Sequence, residues 1–302
     1  MTAPPSSPNA WRNRAIYLSY RAAAAAAGAV PEAVGAGVAR GLAGVAVPLL
    51  GHRRRMVAQH ARRVSGRPLS QAEERRAVRA AFGSYSRYWM ESLRLPAMSP
   101  EEVDDGFSID GLEHIRTGLD AGRGVVLALP HVGGWEVGGS WLVRQGIPLT
   151  VVVESLQPPE LFEWFVGLRE SFGLTVIPLG KGAGTQVLRT LRGNGVVALL
   201  SDRDIGGRGV EVEFFGERTT LPGGPATLAL RAGAPVLPTA VYFAGSGHHA
   251  VVQGPVTVPR TGRLRDDVAV LTQAIACQLE ELIRAAPDQW HLFQPNWPSD
   301  RL

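Results

Sequence analysis

The sequence predicts an α/β fold, a largely parallel central sheet flanked by helices with a helical layer in front of it. Three observations predict it. Short runs that are apolar throughout recur along the middle of the chain: "GVVLAL" (124–129), "LTVVVE" (149–154), "LTVIPL" (174–179) and "GVVALLS" (195–201). Helical patterns near 135–145, 158–172 and 184–193 separate them. Strands buried on both faces and alternating with helices are the signature of parallel βαβ units. Residues 12–105, by contrast, carry only helical periodicity.

In chain order, "MTAPPSSPNA" reads as the start of a disordered leader over residues 1–11. The rest, 12–302, reads as one domain, with a helical N-terminal layer (12–105) and an α/β core (106–302). The stretch 12–50 is rich in Ala and Gly, but Glu32 and Arg40 interrupt it, so no uncharged run is long enough to span a bilayer. Two readings stand side by side here: a pair of helices packed on the core, or a pair lying on a membrane surface. The dense basic run "HRRRMVAQHARR" that follows suits anionic headgroups and equally a solvated face. The next helix opens with a capping box, Ser70 and Glu73, and then repeats Val78, Phe82, Tyr85, Trp89 and Leu93 on one apolar face.

Beyond the four core strands, "GVEVEFF" (209–215), "APVLPTAVYF" (234–243) and "HAVVQGPVTV" (249–258) read as further strands, the first and last with antiparallel partners. A final helix over about 265–286 precedes the tail "QWHLFQPNWP".

Composition narrows the classes. A chain of 302 residues that is 45% hydrophobic and 19% charged can bury a sizeable core and is not a disordered protein. The net charge of +4 fits anionic lipid or anionic small substrates without selecting either. The single cysteine, Cys277, excludes an internal disulfide, and its place in an amphipathic helix predicts a buried structural thiol.

The chemistry concentrates in "ALPHVGGWEVGG" (128–139). His131 stands two residues past an apolar strand, at the carboxyl rim where open α/β sheets bind ligands. Gly133 and Gly134 permit close backbone approach, and a helix starting near Trp135 directs its first amides at the same place. A carboxylate five residues after the histidine, Glu136, can accept from one imidazole nitrogen and leave the other as a general base. A histidine that caps a helix is the other reading. The spacing does not match H-E-x-x-H, no G-x-S-x-G occurs, and "GKGAGT" (180–185) is not a phosphate loop. "SDRD" (201–204) leaves a second class open, a metal-dependent glycosyltransferase that would use Asp202 and Asp204.

"PHVGGWE" resembles the H-x-x-x-x-D/E motif of the bacterial lysophospholipid acyltransferase superfamily, in particular its lipid A acyltransferase-like branch. "SYSRYWMESLRLP" (84–96), "VVVE" (151–154), "LRESFGLTVIPL" (168–179) and the long run 201–238 look like that family in the same order, so the resemblance covers about residues 15–295. Within the branch, "DRD" followed by "GVEVEFFGE" and "PGGPA" looks most like the phosphatidylinositol mannoside acyltransferases. The resemblance implies an O-acyltransferase with acyl-CoA as co-substrate, no metal and no bound cofactor. It would act on a membrane glycolipid at the cytoplasmic face of the plasma (inner) membrane as a peripheral protein. The N-terminal layer would then associate with an anionic membrane surface, and no nucleic acid would be bound. His131 would be the base and Glu136 would polarise it. A further catalytic glutamate would be Glu211, with Glu213 as the other candidate. Arg169 would bind a phosphate or the thioester oxygen, and Glu154, Asp202 and Arg203 would line the substrate site. A palmitoyl-type chain would pass to a mannose hydroxyl, with a lipid A or lysophospholipid-type acceptor as the alternative.

Overall fold

The computed structural model describes residues 10–29 and 50–301. Helices α1 (Ala10–Ala29), α2 (Gly51–Ser65), α3 (Gln71–Arg94) and α4 (Pro100–Asp105) come first. They are followed by β1 (Phe107–Asp110), α5 (Leu112–Asp120), β2 (Val125–Leu129), α6 (Trp135–Arg144), β3 (Leu149–Val153), α7 (Pro159–Ser171), β4 (Thr175–Pro178), α8 (Ala183–Arg192) and β5 (Val196–Leu200). A hairpin, β6 (Val210–Phe214) and β7 (Glu217–Leu221), leads to α9 (Gly224–Ala232), β8 (Val236–Ala244), β9 (Gly247–Val252) and α10 (Leu264–Ala285).

Seven strands form one sheet in the order β1-β9-β8-β2-β5-β3-β4. Only β8 and β9 run antiparallel within it. Successive side chains of a strand point to opposite faces. Val126 and Ala128 of β2 therefore join one core with α8, α9 and α10, where Val187, Leu191, Ala229, Ile275 and Leu279 pack. Val125, Leu127 and Leu129 join the other core, with Val137, Trp141 and Leu142 of α6. Both faces of the strand are buried, which is why it reads as an unbroken apolar run.

The capping box of α3 is formed: Glu73 N–H donates to Ser70 Oγ and Ser70 N–H to the Glu73 carboxylate. Val78 and Phe82 are buried as expected, but further along the helix Tyr88 and Ser92 are the buried positions, while Tyr85, Trp89 and Leu93 are only partly covered. α1 lies across that side, with Tyr20 packed against Trp89 and Phe165 at ring-centroid distances of 5.9 Å and 5.5 Å.

Several expectations change. Ala10 and Trp11, assigned to the leader, belong to α1. Residues 1–9 and 30–49, which hold the rest of the leader and most of the second apolar segment, lie outside the described residues. The run 249–258 keeps strand form only to Val252, after which Pro255 and Pro259 cannot donate to a ladder. "GVEVEFF" pairs antiparallel as expected, but its partner is "ERTTL", a strand not anticipated from its polar residues. Cys277 is exposed, because Ile275, Ala276 and Leu279 take the inward face of α10 and leave position 277 outward. No helix among the described residues is long and apolar enough to cross a membrane.

Candidate active site

The register of two parallel strands builds the site. β2 and β5 are neighbours, and Leu129 lies opposite Leu200. His131 and Asp202 each follow two residues later, so the pairing delivers both to the same point of the carboxyl rim. Ser201 N–H continues the ladder to Leu129 C=O at 2.8 Å, which fixes the exit of both chains.

Asp202 is the carboxylate that holds the imidazole. His131 Nδ1 lies 2.6 Å from Asp202 Oδ1, and His131 backbone N–H donates to Oδ2 at 2.9 Å. Trp290 Nε1–H donates to the same Oδ2 at 2.7 Å. The Asp202 side chain is completely buried, whereas His131 keeps 22% of its side chain accessible. Burial alone pushes the Asp202 carboxyl up. The His131 charge, the hydrogen bonds from His131 and the Trp290 N–H outweigh it and hold the carboxyl below the usual carboxylate range. With Asp202 ionised, Nδ1 carries the proton and Nε2 is left as the basic nitrogen.

Glu136 does not reach the imidazole, which corrects the pairing expected from the five-residue offset. The intervening residues are held by neighbouring chains: Val132 bridges to Trp290, Gly133 to Val241, and Gly134 N–H donates to Val241 C=O at 2.9 Å. Gly133 has φ +62° and no room for a Cβ against the Val241 carbonyl, so glycine is required there. Glu136, in the first turn of α6, instead accepts from Arg169 Nη2 at 2.5 Å and from Tyr88 Oη at 3.3 Å. Burial alone pulls the Arg169 guanidinium down, but Glu136 and Tyr88 outweigh it and raise it above its ordinary value. Burial, and then the Glu136 charge, push the Tyr88 hydroxyl well above its usual range.

The other expected residues fall into two groups. Glu154 and Arg203 stand together at the rim, 4.0 Å apart, after β3 and β5. Glu211 and Glu213 are both exposed on β6, opposite Thr220 and Arg218 of the hairpin, and among the described residues neither hydrogen-bonds to His131. Asp204 organises its own loop: its carboxylate accepts from the backbone N–H groups of Gly206, Gly207 and Gly209 and from Thr220 Oγ1. Both carboxylates of the D-x-D pair are therefore engaged, one by an imidazole and one by a turn.

An apolar cleft enclosing about 830 Å³, part of it open to solvent, runs between α6 and the sheet. Its floor comes from β1, β9, β8, β2, β5 and β3, which are consecutive in the sheet. Trp135, Glu136 and Arg169 also line it. Trp135 links it to the rim, with its ring edge-on to the His131 imidazole at 5.6 Å between centroids.

Trp290 and Tyr88 went unrecognised in the sequence. Trp290 stands in a tail without periodicity, although its indole N–H was a donor in search of a buried partner.

The family model of bacterial lipid A biosynthesis acyltransferases matches residues 12–299. The chain is 40% identical over 241 residues to a phosphatidylinositol mannoside acyltransferase of Mycolicibacterium smegmatis, covering 79% of this chain and 77% of that one. It is 43% identical over 226 residues to a phosphatidylinositol mannoside acyltransferase of Mycobacterium tuberculosis, covering 73% and 70%. A lipid A biosynthesis acyltransferase of Haemophilus influenzae is 29% identical over 187 residues, covering 60% and 55%. The rim histidine with its buried carboxylate thus stands in a chain that belongs to the bacterial lipid A biosynthesis acyltransferase family and is an acyltransferase.

Proposed function

We propose that this acyltransferase moves a long, palmitoyl-type acyl chain from acyl-CoA to a mannose hydroxyl of a phosphatidylinositol mannoside. His131 Nε2 takes the proton of the acceptor hydroxyl as its oxygen attacks the thioester carbonyl. Asp202 holds the imidazole in the required tautomer and stabilises the imidazolium. The tetrahedral intermediate collapses by breaking the C–S bond, and the CoA sulfur leaves with the proton from His131. The chemistry calls on no metal and no bound cofactor.

The observation that carries this reading is the His131–Asp202 pair beside an apolar cleft whose floor crosses six strands. The lining of that cleft is almost wholly apolar, which suits an acyl chain rather than a polar donor group. The names of the relatives support the mannoside acceptor over a lipid A one. Arg203 at the rim suits a phosphate of CoA or of the acceptor lipid. Trp11 and Leu18 are exposed on α1, which also carries Arg12, Arg14 and Arg21, and this supports peripheral attachment to an anionic membrane surface.

The test is incubation of purified protein with radiolabelled palmitoyl-CoA and either phosphatidylinositol mannoside, a lysophospholipid or a lipid A precursor. Label should pass to the mannoside and not depend on added divalent metal. Transfer to one of the other lipids alone would overturn the acceptor assignment.

A further inference from the structure

We propose that Trp290 is a positioning residue for the His131–Asp202 pair, its indole N–H fixing the Asp202 carboxylate so that the imidazole presents Nε2 to the acceptor hydroxyl. The inference rests on the acyl-transfer reading of that pair.

Asp202 accepts three N–H groups in a place water does not reach. Two come from His131 itself, and the third, at 2.7 Å, comes from a residue 88 positions away. Oδ2 is the oxygen shared between the His131 backbone and the indole, so the indole sets the rotation of the carboxylate and with it the direction in which Oδ1 draws the ring. A tryptophan placed only for packing satisfies its N–H on any nearby carbonyl. This one donates to the charged group that orients the base, and such hydrogen bonds are the strong class.

The surrounding tail is built to hold the indole there. The chain around Trp290 is bonded to the His131 loop: Gly133 N–H donates to Gln289 C=O at 3.0 Å, and His291 N–H to His131 C=O at 2.7 Å. Asn296 Nδ2 donates to the Asp202 carbonyl at 3.0 Å. Further on, Asp300 fastens the tail by accepting from Asn296 N–H and Trp297 N–H, and it pairs with Arg63 and His60 of α2. The indole ring itself is wedged among His60, Phe215, Phe214 and Trp297. The tail that looked structureless in sequence is thus a strap between α2 and the rim.

Trp290→Phe keeps most of that ring packing and removes the donor. Oδ2 then has one partner fewer, the carboxylate becomes more basic, and the pair holds its proton to higher pH. The expected result is a roughly tenfold to hundredfold loss of kcat, from one hydrogen bond to a charged group. The acid limb of kcat/KM should move up by about half a unit to one unit, with KM for acyl-CoA little changed. Replacement of Trp290 by benzothienylalanine, which swaps the N–H for sulfur in the same shape, should reproduce the shift if the phenylalanine variant folds poorly. A fall in kcat and melting temperature with an unmoved acid limb marks a packing residue and overturns the assignment. An unchanged kcat overturns it as well. His131→Ala is run alongside: if it turns over normally, the reading of the pair has failed, whereas an inactive His131→Ala beside a normal Trp290→Phe sinks only the role of Trp290.

Discussion

Glu136 and Arg169 are locked together at 2.5 Å beneath the first turn of α6, one 5% and the other 18% exposed through its side chain. The carboxylate of the five-residue motif therefore ties α6 to α7 and lines one wall of the cleft. Removing one member of such a pair leaves a buried charge without its partner, which costs more than the pair itself contributes. Arg169→Met should lower unfolding free energy by about 3 kcal/mol, while the double variant Arg169→Met/Glu136→Gln should recover part of that loss. Urea unfolding of the wild type, each single variant and the double variant checks this, and additive losses would contradict the pairing.

The cleft proposed to take the acyl chain can be shortened at Gly139. Gly139 of α6 lines it, and a Cβ built there would stand 3.4 Å from the Leu149 and Leu174 methyls, ordinary van der Waals contact. Gly139→Ala should be active and up to about 1 kcal/mol more stable, since alanine is the better helix former. Gly139→Leu has to reach into the cleft at its β3 end. Its kcat/KM should swing from palmitoyl-CoA toward octanoyl-CoA, and an unaltered donor preference would show that the chain binds elsewhere.

Acid should destabilise the fold earlier than carboxylates alone would cause. His291 is buried among Tyr85, Tyr88 and Trp135. Its Nε2 meets Ser84 Oγ at 2.8 Å, and its Nδ1 has no partner among the described residues. Burial, and then the nearby His131 charge, push it down to about 3. The folded form thus binds this proton less readily than the unfolded chain, in which histidine titrates near 6.5. The stabilisation is complete above that value and is lost as pH falls from about 6.5 toward 3. Asp202 and Asp300, both held below the usual carboxylate range, add a loss that begins lower. Melting temperatures measured between pH 7 and 4 should fall from the histidine range downward, and His291→Phe should flatten the upper part of that slope. A wild-type curve level between pH 7 and 5 would rule this out.

Most of the layout was legible because the parallel strands are buried on both faces. β2, β3, β4 and β5 were each read to within a residue or two of their ends, as were α6, α7, α8 and α10. The short β1 was hidden because its four residues alternate between half-buried and exposed, and β7 because "ERTT" carries no apolar run. The place of His131 at a strand end was legible, and Asp202 stood in view after β5. What the sequence could not carry was the register that sets Leu129 opposite Leu200, because it joins segments about 70 residues apart. Without it, the nearer carboxylate, Glu136, was the natural partner for the histidine. Trp290 was hidden for the same reason, as its meaning depends on a tail contact across 88 residues.

In the proposed reaction Asp202, and not Glu136, is the carboxylate that orients the base. The most direct measurement is acyl transfer from radiolabelled palmitoyl-CoA by the wild type, Asp202→Asn and Glu136→Gln, with melting temperatures to confirm folding. Loss of the orienting carboxylate from a histidine base costs about 10⁴ in kcat where it has been isolated in the serine-protease triad, and a loss of at least roughly a hundredfold is expected here. Glu136→Gln should stay within about tenfold of wild type in kcat, since it keeps an acceptor for Arg169. The opposite ranking, a folded Asp202→Asn with near-normal kcat beside an inactive, folded Glu136→Gln, would give the orienting role to Glu136.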